Sequence, residues 1–244
     1  MSHVLLKSAT AIPSKDKYHP DIRAHLEAIQ AMGKAAEERN GLTWKDIESD
    51  RWSDHLCDVV TEHSADSHQG WQTFTSGVYS IPFLHPDYIQ DLLTEITLMS
   101  FAVNPDEEAE VQIPEITLQD TCPSLFNCLY SMFVHVVNPL SKVLYQLEPK
   151  FMRSIQFAQY TPEEVSKGHW HHDKDSDITL VVALTDHHKG GGTMVKPQGL
   201  GEPFEVPQLP VGRAMLFQGS KTLHQGLPVT EGTRNLLVFW SEIK

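Results

Sequence analysis

RAMLFQGSKTLHQGLPVTEGTRNLLVFW, residues 213–240, decides the fold class. It holds two short runs, RAMLFQG and RNLLVFW, dominated by apolar and aromatic residues. Such runs read as β-strands, and PVTEGT between them reads as a turn. The same texture reaches back to about residue 150. SIQFAQY, ITLVVAL and TMVKP are further strand candidates, separated by Gly- and Pro-rich turns such as HHKGGG. Many short strands joined by turns point to a sandwich, jelly roll or barrel.

Outward from this region the texture becomes helical. PDIRAHLEAIQAMGKAAEERNG places Ile22, Leu26, Ile29 and Met32 three and four residues apart, with Gly41 just past the end. HPDYIQDLLTEITLM repeats the design with Ile89, Leu92, Leu93 and Ile96. A third stripe runs through Leu125, Leu129, Met132, Val136, Leu140, Val143 and Leu147, and Pro139 is expected to kink or divide it. NPDEEAEVQIP reads as an acidic loop. The expectation is an α+β protein whose helical front half packs on a β core built by the C-terminal hundred residues.

The 244 residues are enough for one large domain or a domain with an extension. A formal charge of −13 argues against a phosphate-backbone binder, which needs clustered Lys and Arg. It suits a small-molecule substrate or a basic one. The three cysteines Cys57, Cys122 and Cys128 form no C-x-x-C pair, so buried free thiols are expected, with no disulfide framework. The first eighteen residues contain only a three-residue apolar run, too short for a signal-peptide core. No apolar stretch approaches membrane-spanning length. A reducing compartment, the cytoplasm, is the natural inference.

The densest functional signal is GHWHHDKDSD, residues 168–177. On a strand, H-x-D turns an imidazole and a carboxylate to one face. The pattern occurs three times. His19-Pro20-Asp21 and His85-Pro86-Asp87 each precede a helical pattern, where Pro suits the first turn and Asp the positive end of the dipole. His171-His172-Asp173 instead lies between two strand candidates. Adding His224 gives a two-histidine, one-carboxylate face that leaves three adjacent positions open on an octahedral metal. Arg234, ten residues past His224, starts the last strand and shares parity with Leu236, Val238 and Trp240. An Arg on an apolar strand face needs an anion, and a guanidinium grips a carboxylate at two points. His172 alternates to the other face, and His169, His187 and His188 read as loop residues.

At this point a family resemblance emerges. HHDKDSDITLVVALTDHHKGGGTMVKPQG and LPVGRAMLFQGSKTLHQGLPVTEGTRNLLVFW resemble the catalytic domain of procollagen lysyl hydroxylases. More broadly they resemble iron(II)/2-oxoglutarate dioxygenases of the prolyl 4-hydroxylase type. The resemblance covers about residues 76–244 and is weaker before residue 170. It implies a double-stranded β-helix over residues 76–244, with residues 1–75 a helical extension of unassigned role. It implies that His171, Asp173 and His224 bind Fe(II), and that Arg234 holds the distal carboxylate of 2-oxoglutarate with Tyr160 beside it. O2 would be the second co-substrate, with ascorbate an accessory reductant. The chain departs from the pattern in its longer, more acidic KDSD turn and in Gln159, where a basic residue is common. Asp175 and Asp177 in that turn are candidates for receiving a cationic substrate.

The expected activity is hydroxylation of an unactivated C–H bond in a lysine or proline residue or a free amino acid. Hydroxylation, desaturation or cyclisation of a natural-product scaffold is the alternative substrate reading. Two rivals are a non-catalytic jelly roll with a structural metal and a zinc hydrolase. Both leave Arg234 without a purpose.

Overall fold

The computed structural model describes residues 11–41, 46, 59–65, 76–105, 112–197 and 202–244. Cys57 and most of the stretch between residues 42 and 75 lie outside the described residues, as does the boundary set from the sequence at residue 75. The chain enters through two helices, α1 (Pro20–Arg23) and α2 (Leu26–Glu38). A short strand β1 (Thr61–Glu62) and β2 (Val78–Pro82) lead into α3 (Pro86–Ile96). Then come β3 (Glu115–Thr117), α4 (Leu118–Thr121) and the long α5 (Pro123–Leu144). The rest is β: β4 (Phe151–Tyr160), β5 (Ile178–Ala183), β6 (Lys189–Gly190), β7 (Thr193–Lys196) and β8 (Phe204–Val206). It continues through β9 (Arg213–Phe217), β10 (Leu223–Gly226), β11 (Val229–Glu231) and β12 (Arg234–Glu242).

Both His-Pro-Asp tripeptides begin helices, as the sequence predicts. His19 and His85 are N-caps with Pro at the first helical position. Each imidazole Nδ1 accepts from the backbone N–H of the following Asp, Asp21 at 3.3 Å and Asp87 at 3.1 Å. That satisfies one of the donors a helix start leaves open.

Among the described residues the large sheet is antiparallel, in the order β1-β2-β9-β5-β12-β4-β3. A second sheet, β10-β7-β8, and the ribbon β11-β6 complete the β structure. Strand parity sends alternate residues to two separate cores. Ala214, Leu216, Leu237 and Phe239 pack with the helices in the main cluster, which also contains Ile22, Ile29 and Met32 of α1 and α2. Met215 and Phe217 turn the other way, against Val195, Phe204 and Val206 of the small sheet. Leu236 does the same toward Ala158, Tyr160 and Val229. Arg234 therefore lies on the inter-sheet face of β12. The helices cover one face of the large sheet and the small strands partly cover the other.

The third helical stripe was expected to kink or divide at Pro139. Pro139 does not divide α5, which runs through it for 22 residues. A proline inside a helix frees the carbonyl four residues before it. Here that carbonyl belongs to His135, and Gln30 Nε2 of α2 donates to it at 3.1 Å. Gly33 of α2 sits against the ring: an added Cβ would lie 2.6 Å from Pro139 Cβ. The neighbouring helix supplies the bond that the proline removes. Leu147 of the stripe falls beyond the helix end but still packs on the core.

Candidate metal and co-substrate site

His171 and His224 are brought together by backbone pairing. Each donates its N–H to the other's carbonyl at 3.0 Å, an isolated antiparallel bridge. Directly opposed residues in such a bridge project to one side, and the two rings stand 4.3 Å apart between centroids. His224 is carried by β10. His171 is not on a continuous strand, contrary to the expectation. After the bridge the chain turns at KDSD: Asp173 N donates to Gly219 O at 3.1 Å, and Ser176 N returns to Asp173 O at 3.0 Å. The turn carries the carboxylate to the imidazoles. Asp173 Oδ1 lies 3.4 Å from His171 Nε2 and 3.7 Å from His224 Nε2.

The tautomers are set by the backbone. His171 Nδ1 lies 2.8 Å from the His169 carbonyl, and His224 Nδ1 lies 3.0 Å from the Thr222 carbonyl. A carbonyl can only accept, so each Nδ1 carries the proton and each Nε2 lone pair is left for a metal. Thr179 Oγ1 donates to Asp173 Oδ2 at 2.7 Å. Having given its one proton there, it receives from Ser176 Oγ, 2.9 Å away. Ser241 N anchors Ser176 Oγ in turn at 3.2 Å. One candidate ligand atom from each of His171, Asp173 and His224 lies within 4.8 Å of the others. Burial by itself would raise the Asp173 carboxyl; His224, His171 and Thr179 outweigh it and hold the pKa below the ordinary value. Burial keeps the His224 imidazole below its ordinary value. A charged carboxylate and neutral imidazoles are the protonation states that ligate a metal.

Gly219 makes the close approach feasible. A Cβ there would stand 2.9 Å from Asp173 Cβ and would collide with Thr179 Oγ1.

Arg234 is 4% exposed and pairs in register with Tyr160 on β4. Its guanidinium carbon lies 5.6 Å from the centre of the Tyr160 ring. It lines a cavity with Val181, Ala183, Thr193, Gln208 and Leu236. Burial lowers its pKa from the ordinary arginine value, although guanidinium groups stay charged in proteins. Burial raises the Tyr160 hydroxyl, with Arg234 opposing and Asp173 adding to the shift. Tyr160 is thus close enough to both groups to feel both charges. The Nε of Arg234 is buried and has no hydrogen-bond partner within the protein. A buried guanidinium with an open donor is what a carboxylate ligand would complete.

The remaining candidates are not part of the His171–Asp173–His224 cluster. His172 and Asp175 are exposed. Asp177, read as a candidate for receiving a cationic substrate, accepts from the Ile243 N–H through Oδ2 at 2.9 Å, pinning the end of β12. The His187 side chain is 93% exposed beside Asp186, as expected of a loop residue. His188 was read the same way, yet both its ring nitrogens are shielded from solvent. Thr179, Ser176 and Gly219 escaped the sequence reading. The one available signal was a hydroxyl on an otherwise apolar strand run six residues after Asp173.

Residues 155–242, which carry β4 to β12 and the whole cluster, match the 2OG-Fe(II) oxygenase superfamily. The chain is 33% identical over 116 residues to a multifunctional procollagen lysine hydroxylase and glycosyltransferase from Caenorhabditis elegans, a match covering 45% of this chain and 15% of that protein. Two solved structures share the fold. A prolyl hydroxylase from Trichoplax adhaerens, in complex with a hypoxia-inducible-factor oxygen degradation domain peptide fragment, superposes with a TM-score of 0.57 at 15% identity, over 83% of this chain and 94% of that one. A prolyl-4-hydroxylase from Pseudomonas putida gives 0.50 at 19% identity, over 69% and 93%. The two facing sheets are thus those of the double-stranded β-helix fold, and the α+β class read from the sequence holds.

Proposed function

We propose that the protein is an Fe(II)- and 2-oxoglutarate-dependent oxygenase that hydroxylates an unactivated C–H bond. The observation that carries this reading is the pairing of two features between one pair of sheets. One is a His-Asp-His cluster whose ligand atoms lie within 4.8 Å of one another; the other is a buried Arg234 whose Nε has no partner within the protein. A structural metal site has no use for the second feature, and neither does a hydrolase.

His171, Asp173 and His224 suit iron(II): two imidazoles and one carboxylate leave room for exogenous ligands. When bound, iron supplies coupling of 2-oxoglutarate decarboxylation by O2, giving succinate and CO2, to insertion of one oxygen atom into the substrate C–H bond. The chain's own residues do the rest. Thr179 holds Asp173 in its rotamer and leaves Oδ1 turned to the imidazoles. The carbonyls of His169 and Thr222 hold the rings in the ligating tautomer. Arg234 grips the distal carboxylate and fixes the co-substrate's orientation, with Tyr160 walling the cavity. The apolar residues Val181, Ala183 and Leu236 keep water from that cavity, strengthening the ionic contact.

The substrate reading is an amino-acid side chain, lysyl or prolyl, in a peptide or free. It rests on the lysine hydroxylase relative and on the acidic surface, which favours approach of a cation. Nucleic acid does not fit a net charge of −13. No helix among the described residues is long and apolar enough to cross a membrane. The buried free thiols of Cys122 and Cys128 suit a reducing, cytoplasmic setting. Ascorbate, as a reductant that keeps iron ferrous, is expected to sustain turnover.

The test is succinate formation from 2-oxoglutarate in the presence of Fe(II) and O2, alongside a mass-spectrometric screen for a product one oxygen heavier, using lysine, proline and lysine-containing peptides. Succinate release that depends on iron supports the reading. No consumption of 2-oxoglutarate with any of them, in iron-loaded protein, counts against it.

A further inference from the structure

The inter-sheet face of the large sheet continues sideways past the cluster. Directly opposed residues on neighbouring strands share a face, so the strand register sets out two rows. Thr179, Trp240 and Ser154 form one, across β5, β12 and β4. Val181, Val238, Gln156 and Thr117 form the next, which reaches β3. Thr179 opens the first row with its hydroxyl on Asp173 Oδ2 at 2.7 Å. Val181 opens the second and lines the Arg234 cavity. Both rows therefore run outward from the metal and co-substrate positions. At about 4.8 Å per strand, the Gln156 backbone stands roughly 10 Å from that of Val181.

Gln156 is the unusual member. It is 9% exposed, and its Oε1 accepts from Ser154 Oγ at 3.1 Å. With the oxygen taken, the amide presents its NH2 end, which can only donate. That Nε2 makes no hydrogen bond within the protein and keeps contact with solvent. A nearly buried amide with an open donor is costly unless an acceptor arrives. Beside it, Val238 and Trp240 are half-buried and form an apolar floor.

The chemistry of the two rows is neutral. None of their seven residues carries a charge. Asp175 is exposed, and Asp177 is held by the Ile243 N–H. Glu115, opposite Ala158 in the following row, accepts from Thr117 Oγ1 at 3.4 Å. An ammonium beside Gln156 would meet a donor, and a carboxylate would meet no cation in either row. Desolvating either charge without a partner is unfavourable. A neutral carbonyl meets its complement.

We propose that Gln156 is a substrate-orienting residue, donating through Nε2 to a carbonyl next to the C–H bond that is oxidised, with Val238 and Trp240 under the apolar part. The assignment rests on the oxygenase reading of the cluster and narrows its substrate to an amide-bonded residue, since a free amino acid brings both charges into a neutral site.

The experiment is calorimetric titration of the protein loaded with Mn(II) and 2-oxoglutarate. The probes are free lysine and proline, and the same two residues capped as N-acetyl amides. The better capped probe is expected to bind at least about tenfold tighter than its free counterpart. Gln156→Met, close in size, should weaken that capped probe roughly tenfold, the size of one hydrogen bond left unmade. The loss should not extend to the 2-oxoglutarate Kd. Gln156→Glu, which puts an acceptor where the donor stands, should weaken the capped probe at least as much. Free probes that bind as tightly as capped ones overturn the assignment, and so does a capped probe that binds nowhere or ignores both substitutions. Iron-dependent succinate formation by the unaltered protein separates the two readings. With succinate formed, those results sink this inference alone; without it, the oxygenase reading fails too.

Discussion

Three side chains and one hydroxyl carry the chemistry at the scale of single residues. His171→Ala, Asp173→Ala and His224→Ala are each expected to abolish tight Fe(II) binding, while the exposed His172→Ala retains it; equilibrium dialysis with metal analysis reads all four. A full loss in His172→Ala with binding intact in His171→Ala would mean the other imidazole of the pair is the ligand. Thr179→Val keeps the shape but removes the proton donated to Asp173. It should lower metal affinity roughly 10–100-fold, the usual effect of losing a group that orients a ligand. An unchanged affinity would show that the turn alone holds the carboxylate. Arg234→Ala should weaken 2-oxoglutarate binding by roughly 2–5 kcal/mol, and Arg234→Lys should restore only part, since an ammonium lacks the two-point grip. The triad and Arg234 could be singled out because their residue types are demanding and because the H-x-D and the ten-residue step from His224 to Arg234 are short. Thr179 and Gln156 were not, because a strand threonine and a strand glutamine carry no local mark; only the fold shows Thr179 against Asp173 and Gln156 opposite Val238.

At the scale of elements, the same logic separates what the sequence reveals from what it hides. The strands β5, β9 and β12 were readable because both faces are largely buried and the runs are mostly apolar. β10 was missed: LHQG has no apolar alternation, and it is a strand because it pairs with β7, His224 facing Val195. Helix α5 shows the opposite failure. Pro139 is a strong local break signal, but α2 overrides it through Gln30 and Gly33. That contact makes a prediction. Gly33→Val forces branched carbon into the Pro139 ring and should cost roughly 1–3 kcal/mol of stability, the usual price of overpacking. Gln30→Ala, at an exposed bond, should cost less. Denaturant unfolding measures both; a neutral Gly33→Val would show that α2 can move away from α5 freely.

For the whole molecule, the cluster joins the small sheet to the large one. His224 comes from the small sheet, whereas Asp173 is tied through Thr179 to β5 of the large one. A metal bound by both clips the two sheets together. Mn(II) at about a hundred times its Kd should therefore add about 2.7 kcal/mol to the unfolding free energy, and none in Asp173→Ala. The central claim is that one cavity holds iron and 2-oxoglutarate together. Anaerobic addition of Fe(II) and 2-oxoglutarate to the metal-free protein tests it directly, with the visible charge-transfer absorption of an iron-chelated 2-oxo acid as the readout. The account predicts a band that needs both additions, vanishes in Asp173→Ala, and requires far more 2-oxoglutarate in Arg234→Ala. Tight Fe(II) binding with no band at any 2-oxoglutarate concentration would contradict it.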